Sequence, residues 1–350
     1  MITLMHSIHL SVCLTLSNRS HPFTAALSTA IKRYRRQQRR TQLGTILEEQ
    51  LPYGSNNGRT VNVGEYPRKD IIFHLTGGGF FAHTLAGDIP FLMDWSNVTK
   101  SVVICPEYAL LPEHKFPDAI NEVTKVFTAI VNGDVAPLIG LQTGKIIVTG
   151  ESTGGNLATS LCIKLCLDGL VDVDELRDQR KKSTSTDGDG PNPERTAGES
   201  VSLQKPMVRL PDALLLCCPA LNLSLELAPS RVITHDAVLP STLIRTISNA
   251  YLGDNSKTDP LASPYYASDS ILSIFPPTLL YASSEDPFLD DAVVFNKRLK
   301  RLGVECDLRA AQNVVSNACM HVCMPLVFAV QYFIHQSKTL TFVFFCVFTF

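Results

Sequence analysis

The sequence predicts an α/β fold, a mostly parallel sheet with helices on both faces. Three observations point to it. From Asp70 onward, short β-branched runs alternate with longer stretches of helical periodicity, as strand–helix–strand units require. The stretch Ile146-Ile-Val-Thr-Gly-Glu-Ser-Thr-Gly-Gly-Asn156 passes from strand to helix through a sharp glycine turn. Finally, 350 residues at 45% hydrophobic content are enough for one sizeable core, more naturally than for two.

The elements follow in order. Ile71 to Leu75 is expected as a strand, Asp88 to Lys100 as a helix, Ser101 to Cys105 as a strand and Asp118 to Val131 as a helix. Lys145 to Thr149 is the strand that enters the glycine turn, and the helix after the turn runs to about Leu170. Residues 172–206 are crowded with Asp, Lys, Arg, Ser, Thr, Gly and Pro, too polar to offset their ordering entropy, and are expected to be a disordered insertion. It joins a helix end to a strand start, so it should sit at the sheet edge opposite the strands' carboxyl ends, where ligands bind. Asp212 to Ala220 resumes as a buried strand, and a helix is expected between Ser241 and Leu252. Pro277 to Ala282 is a strand, Asp291 to Leu302 a helix and Glu305 to Leu308 a short strand.

Gly150-Glu-Ser-Thr-Gly154 has the G-x-S-x-G form of a nucleophile elbow, in which a strained turn lifts a serine hydroxyl clear of the sheet. The helix that follows Ser152 aims unpaired N–H groups and its positive dipole end at the place where negative charge would develop. Upstream, Asp70-Ile-Ile-Phe-His-Leu-Thr-Gly-Gly-Gly-Phe-Phe81 is a strand followed by three glycines, the form of an oxyanion loop. Gly77 to Gly79 also suit a flexible turn. A phosphate cradle is disfavoured, since no Gly-Lys-Ser/Thr and no G-x-G-x-x-G spacing follows.

Together these two motifs resemble the α/β-hydrolases, and specifically their hormone-sensitive-lipase-like esterases. A third stretch between them, Pro106-Glu-Tyr-Ala-Leu-Leu-Pro-Glu-His-Lys-Phe-Pro-Asp-Ala119, looks like that family's D-Y-R-x-A-P-E-x-x-F-P-A-A segment. The resemblance runs from about Ile71 to His321, apart from the insertion. It implies an α/β-hydrolase domain over residues 66–338, a helical cap whose first segment is 1–65 and whose second is 222–269, and an apolar tail at 339–350. The cap's apolar face would line the acyl pocket, and an ordinary surface subdomain is the plainer reading of 222–269.

By position in the family motif, Asp286 in Ser283-Ser-Glu-Asp-Pro-Phe-Leu-Asp-Asp291 would orient and charge-stabilise the histidine. Glu285, Asp290 and Asp291 are available substitutes, and carboxylates before a helix also serve as N-caps. His321 completes the order serine, acid, histidine and would act as general base, with His335 as runner-up inside a helical pattern. The sequence departs from the family at Thr76, where the loop-bracing histidine is replaced and His74 sits two places earlier. It departs also at Ala109, which replaces an arginine, and at Glu151, where Asp is commoner. Thr76 is expected to leave the oxyanion loop less rigid.

A formal net charge of −2 gives no electrostatic reason to expect nucleic acid. Ten cysteines without C-x-x-C pairs announce neither a disulfide framework nor a zinc site, and Cys319, His321 and Cys323 lack a second ligand cluster. Residues 1–18 are apolar but lack the basic start of a secretory signal, and the basic run Lys32 to Arg40 reads as a solvated helix face ahead of a nuclear or acidic-lipid signal. The aromatic end, Thr339 to Phe350, is separated by His335, Gln336, Ser337 and Lys338 from the apolar run before it, so no clean membrane span results. A cytoplasmic location is expected, with secretion or a tail anchor as alternatives.

The expected activity is serine hydrolysis of hydrophobic carboxylic esters. Ser152 would attack, the N–H groups of Gly78, Gly79 and Thr153 would hold the oxyanion, and Asp286 and His321 would complete the triad. The substrate is a small-molecule ester and the chemistry requires no metal or organic cofactor. The alternative is a non-catalytic small-molecule receptor on the same scaffold, since fold does not fix function.

Overall fold

The computed structural model describes residues 66–184, 208–224, 228–233 and 239–311. The expectations for 1–65, the tail, the cysteines near 320, His321 and His335 lie outside the described residues. Six parallel strands form one sheet, β1 (Arg68–Leu75), β2 (Val102–Ile104), β3 (Gln142–Glu151), β4 (Ala213–Cys217), β5 (Thr278–Ser283) and β6 (Cys306–Ala311). Their spatial order is β2-β1-β3-β4-β5-β6. The chain thus steps outward from β1 to the β2 edge, then returns past β1 and proceeds the other way from β3. Connections leaving β1 and β3 diverge, and such a switch point opens a crevice at the carboxyl ends of the two strands.

Burial on both faces explains the unbroken apolar runs: every residue of β2 and β4 is buried. Alternate residues feed two separate clusters, as the strand's period of two requires. Ile71, Phe73, Ile146, Val148, Leu214 and Leu216 join one cluster, with residues of α2 (Asp118–Val131) and α4 (Thr153–Leu167). Ile72, Val103, Ile147 and Leu215 join the other, beneath Phe91, Leu92 and Trp95 of α1 (Leu85–Thr99). A one-turn α3 (Ala136–Ile139) precedes β3.

The first part of the stretch 172–206 departs from its expected disorder. Residues 173–184 form the helix α5 (Val173–Thr184), and 185–207 lie outside the described residues. Val173 and Leu176 pack against the core, and polar contacts add to them. Asp172 Oδ1 accepts from the N–H groups of Asp174 and Glu175 at 3.0 and 2.9 Å, an N-terminal cap. Arg177 and Arg180 then donate to the carbonyls of Ser270, Ser273 and Ile274. Together with Pro211, Asp212, Pro276 and Pro277, which precede β4 and β5, this helix borders a cavity of about 590 Å³ at the amino-terminal edge. The described ends of the connection therefore lie where the parallel topology puts them.

Residues 222–269 contain α6 (Pro229–Ile233), α7 (Ser241–Leu252) and a 3-10 turn at Pro264–Tyr266. The helices α8 (Asp269–Leu272) and α9 (Leu289–Arg301) flank β5. Among the described residues, no helix is long and apolar enough to cross a membrane.

Candidate active site

The turn after β3 is built by sterics. Ser152 adopts φ 51°, ψ −115°, a region that side chains other than glycine rarely occupy and that costs of order 1–3 kcal/mol. Main-chain bonds hold it there: its N–H donates to Cys217 O at 2.9 Å, and its carbonyl accepts from Asn156 and Ala220, both at 3.1 Å. Gly154 is required by close approach, since a Cβ on it would stand 2.0 Å from the carbonyl oxygen of Leu75. Asn156, wholly buried, donates to the carbonyls of Ala220 and Ala262 and ties the helix start to the loop after β4.

The glycine loop leaves β1 beside this turn. A Cβ on Gly77 would lie 3.6 Å from Ser152 Cβ, so the two loops touch. Gly78, Gly79 and Phe80 all have positive φ, at 114°, 66° and 62°. At Gly78 any side chain would meet Ala82 O at 2.2 Å. The Gly78 carbonyl accepts from Phe81 and Ala82, closing the turn. Among the described residues, none of the N–H groups of Gly78, Gly79 and Thr153 has a bonded acceptor.

The loop is braced, contrary to the softening expected from Thr76. Tyr108 donates its hydroxyl to Thr76 O at 2.7 Å, and burial pushes that phenol up to about 12. Thr76 Oγ1 lies 3.1 Å from His83 Nδ1, while His83 Nε2 lies 3.2 Å from the carbonyl of Tyr108. A carbonyl only accepts, so Nε2 carries the proton and Nδ1 accepts from the threonine hydroxyl. Burial lowers the His83 pKa, opposed by Glu107 and the Tyr108 carbonyl, which suits this neutral tautomer. The bracing histidine thus comes from seven residues downstream, a substitution that no local motif in the sequence announces. His74 instead fills the other face, with Nδ1 2.8 Å from Thr149 Oγ1 and Nε2 3.2 Å from Asp88. At Ala109, where the arginine is missing, the backbone N–H donates to Glu122 Oε2 at 2.7 Å.

Asp286 follows β5, with β4 between it and the serine's strand. At ~4.8 Å per strand step, the two strand ends stand about 10 Å apart. Asp286 is 0% exposed and its Oδ1 accepts from Phe288 N at 2.9 Å. The alternatives are placed differently. Glu285 is exposed, and Asp290 accepts from Ser230 N at 2.6 Å. Asp291 is buried in an ion pair with Arg231, whose guanidinium also lies 5.5 Å from the Phe288 ring centroid. Burial pushes Asp291 up to about 6, against the opposing pull of Arg231 and Asn222. Arg231 is 60 residues away in sequence, so nothing local marks it as a support of the acid loop. β6 ends at Ala311, whose carbonyl accepts from Ser284 N at 2.9 Å, so the chain leaves β6 beside the acid loop, ten residues before His321. Among the described residues no group of His, Cys, Asp and Glu side chains is arranged to hold a metal.

A parallel sheet that ends one strand in a strained serine, with a glycine loop on one side and a buried carboxylate two strands away on the other, is the arrangement of the α/β hydrolases. The chain belongs to the alpha/beta hydrolase fold family, whose model matches residues 72–320. Its relatives include esterases and hormone-sensitive lipases. It is 26% identical over 249 residues to an esterase of Acinetobacter venetianus, covering 71% of this chain and 67% of that one. It is 25% identical over 215 residues to the human hormone-sensitive lipase, covering 59% of this chain and 16% of the lipase. The crystal structure of carboxyl esterase 2 from Tuber melanosporum superposes with a TM-score of 0.59 at 19% identity, over 76% of this chain and 78% of that one, a likeness of fold. The chain thus spans about two thirds of the bacterial relative's length and a small part of the lipase's.

Proposed function

We propose that the chain is a serine carboxylic-ester hydrolase that cleaves hydrophobic esters through an acyl-enzyme. The observation that carries this reading is the backbone of Ser152, held in a disfavoured conformation against the glycine loop. Strain of this kind persists only where the surroundings over-determine it, and it gathers at reacting groups.

Ser152 Oγ attacks the acyl carbon while His321 takes its proton, and the N–H groups of Gly78, Gly79 and Thr153 receive the oxyanion. Collapse expels the alcohol, protonated by the same imidazole, and leaves an acyl-serine. Water, deprotonated by His321, then attacks the acyl carbon and releases the acid. Asp286 orients the imidazole and stabilises its charged form. A preference for apolar esters is supported by Phe81, which is 53% exposed although its ring lies against Gly79. Residues 222–269 are assigned the role of the second cap segment, since α7 reaches the glycine loop.

The test is labelling by a fluorophosphonate probe together with turnover of p-nitrophenyl butyrate. The native protein should show both, and Ser152→Ala should lose both, with turnover falling by ~10⁴-fold or more. A native protein that neither labels nor turns over would defeat the esterase reading and favour a receptor.

A further inference from the structure

The helix α7 lies on the glycine loop at two points one helical turn apart. Ile247 Cδ1 stands 3.1 Å from where a Cβ on Gly79 would be. Four residues on, Tyr251 stacks its ring parallel to that of Phe80, with centroids 3.7 Å apart and 1° between planes. Residues at i and i+4 share a helix face, so α7 presents one face to two consecutive loop residues.

Phe80 is where the loop is under tension. A bulky aromatic at φ 62° is disfavoured, because its Cβ crowds the neighbouring carbonyl. Two contacts hold it there, its carbonyl accepting from Leu111 N at 2.8 Å and its ring covered by Tyr251, leaving the residue 1% exposed. The two rings are parallel and in close contact, so Tyr251 covers the face of Phe80 that would otherwise be free to swing away. The seating of α7 is itself fixed, since Tyr251 O accepts from Phe116 N at 2.9 Å, in the segment whose Tyr108 holds Thr76.

We propose that Tyr251 is a positioning residue for the oxyanion hole: its ring clamps Phe80 in the left-handed conformation and thereby fixes the peptide planes that aim the N–H groups of Gly78 and Gly79. The assignment rests on the esterase reading. Without the ring, Phe80 relaxes toward negative φ and the 79–80 peptide turns; Gly79 and Gly78, permissive at every φ, pass that rotation to the 78–79 and 77–78 peptides, whose N–H groups then leave the position the oxyanion occupies. Ground-state binding, which depends on the apolar walls, changes far less. The tyrosine hydroxyl takes no part, being buried with no hydrogen-bond partner among the described residues.

The experiment compares native enzyme with Tyr251→Phe, Tyr251→Leu and the more volume-conserving Tyr251→Met, normalised by active-site titration and circular dichroism. Expected for the Leu and Met variants is a fall in kcat for p-nitrophenyl butyrate of ~10- to 100-fold with KM within about threefold, as misaligned donors would give. The affinity for phenylboronic acid, whose serine adduct places an oxygen in the hole, should fall in step. Tyr251→Phe should behave as native. A folded Leu or Met variant that keeps native kcat overturns the assignment, as does a Phe variant that falls with them. A native protein without turnover takes down the esterase reading and this inference with it, whereas an active native enzyme with indifferent variants takes down the inference alone.

Discussion

The turn that carries Ser152 and the loop that carries Asp286 are fixed by different means. The serine turn is held by main chain: a positive φ, a glycine pressed on Leu75 O, and backbone bonds to Cys217, Asn156 and Ala220. The acid loop is held by charge and side chains drawn from α6, with Ser230 on Asp290 and Pro287, and Arg231 on Asp291 and over Phe288. The first design asks for glycines and a serine in one short run and is met by the main chain of neighbouring strands, whatever side chains those strands carry. The second needs a distant element to be in place, so the acid loop inherits the stability of whatever packs α6.

The largest effect is expected of Arg231→Met. Leaving Asp291 buried without its cation should cost about 3–5 kcal/mol in urea unfolding, whereas Arg231→Met combined with Asp291→Leu should recover most of the loss. The sign of the pH dependence follows from the raised Asp291 pKa of about 6. A carboxyl that binds its proton more tightly folded than unfolded favours the native state at low pH, and that contribution is lost as pH rises through the folded value. The single variant should therefore be less impaired at pH 5 than at pH 8, and equal loss at both would show that the charge is not the support.

A smaller effect is expected at the serine turn. Ser152→Gly removes the side chain that makes φ 51° unfavourable and should raise stability by about 1 kcal/mol in the same assay while abolishing turnover. A loss of stability would mean that the turn is not under strain.

The smallest concerns the brace of the glycine loop. His83 is held neutral, with a folded pKa below its ordinary 6.5. The unfolded chain then takes up the proton first, so stability is full above about pH 6.5 and declines as pH falls toward the folded value. His83→Gln should flatten that part of the profile between pH 7.5 and 5.5, and an unchanged slope would place the titration elsewhere.

The same contrast explains what could be read from the residues alone. Glycines at 150 and 154 with the serine between them, and those at 77–79, announce backbone requirements, and the strand–turn–helix reading of 146–156 and the strand-then-glycines reading of 70–79 match the structure. The helices 118–131 and 241–252 were legible to the residue because their apolar positions face the core. The helix at 173–184 was not, since its composition is that of an unfolded segment and its support is two apolar contacts from Val173 and Leu176, a cap at Asp172 and arginine bonds to carbonyls 93 or more residues away. Among the four carboxylates at 285–291 the residues alone left the acid open and only the family motif favoured Asp286; the packing distinguishes an exposed Glu285, a Ser230-bound Asp290 and an Arg231-paired Asp291 from the enclosed Asp286. His83 and Tyr251 carry no pattern of their own, and each matters only through what folds against it.

The all-parallel topology also gives the molecule a front and a back. Thr184 and Val208 flank the interval between α5 and β4 on the back, with Val208 bordering the cavity there. A fluorophore or an affinity handle joined at the end of α5 would be anchored behind the sheet, away from the mouth when the protein is tethered to a bead.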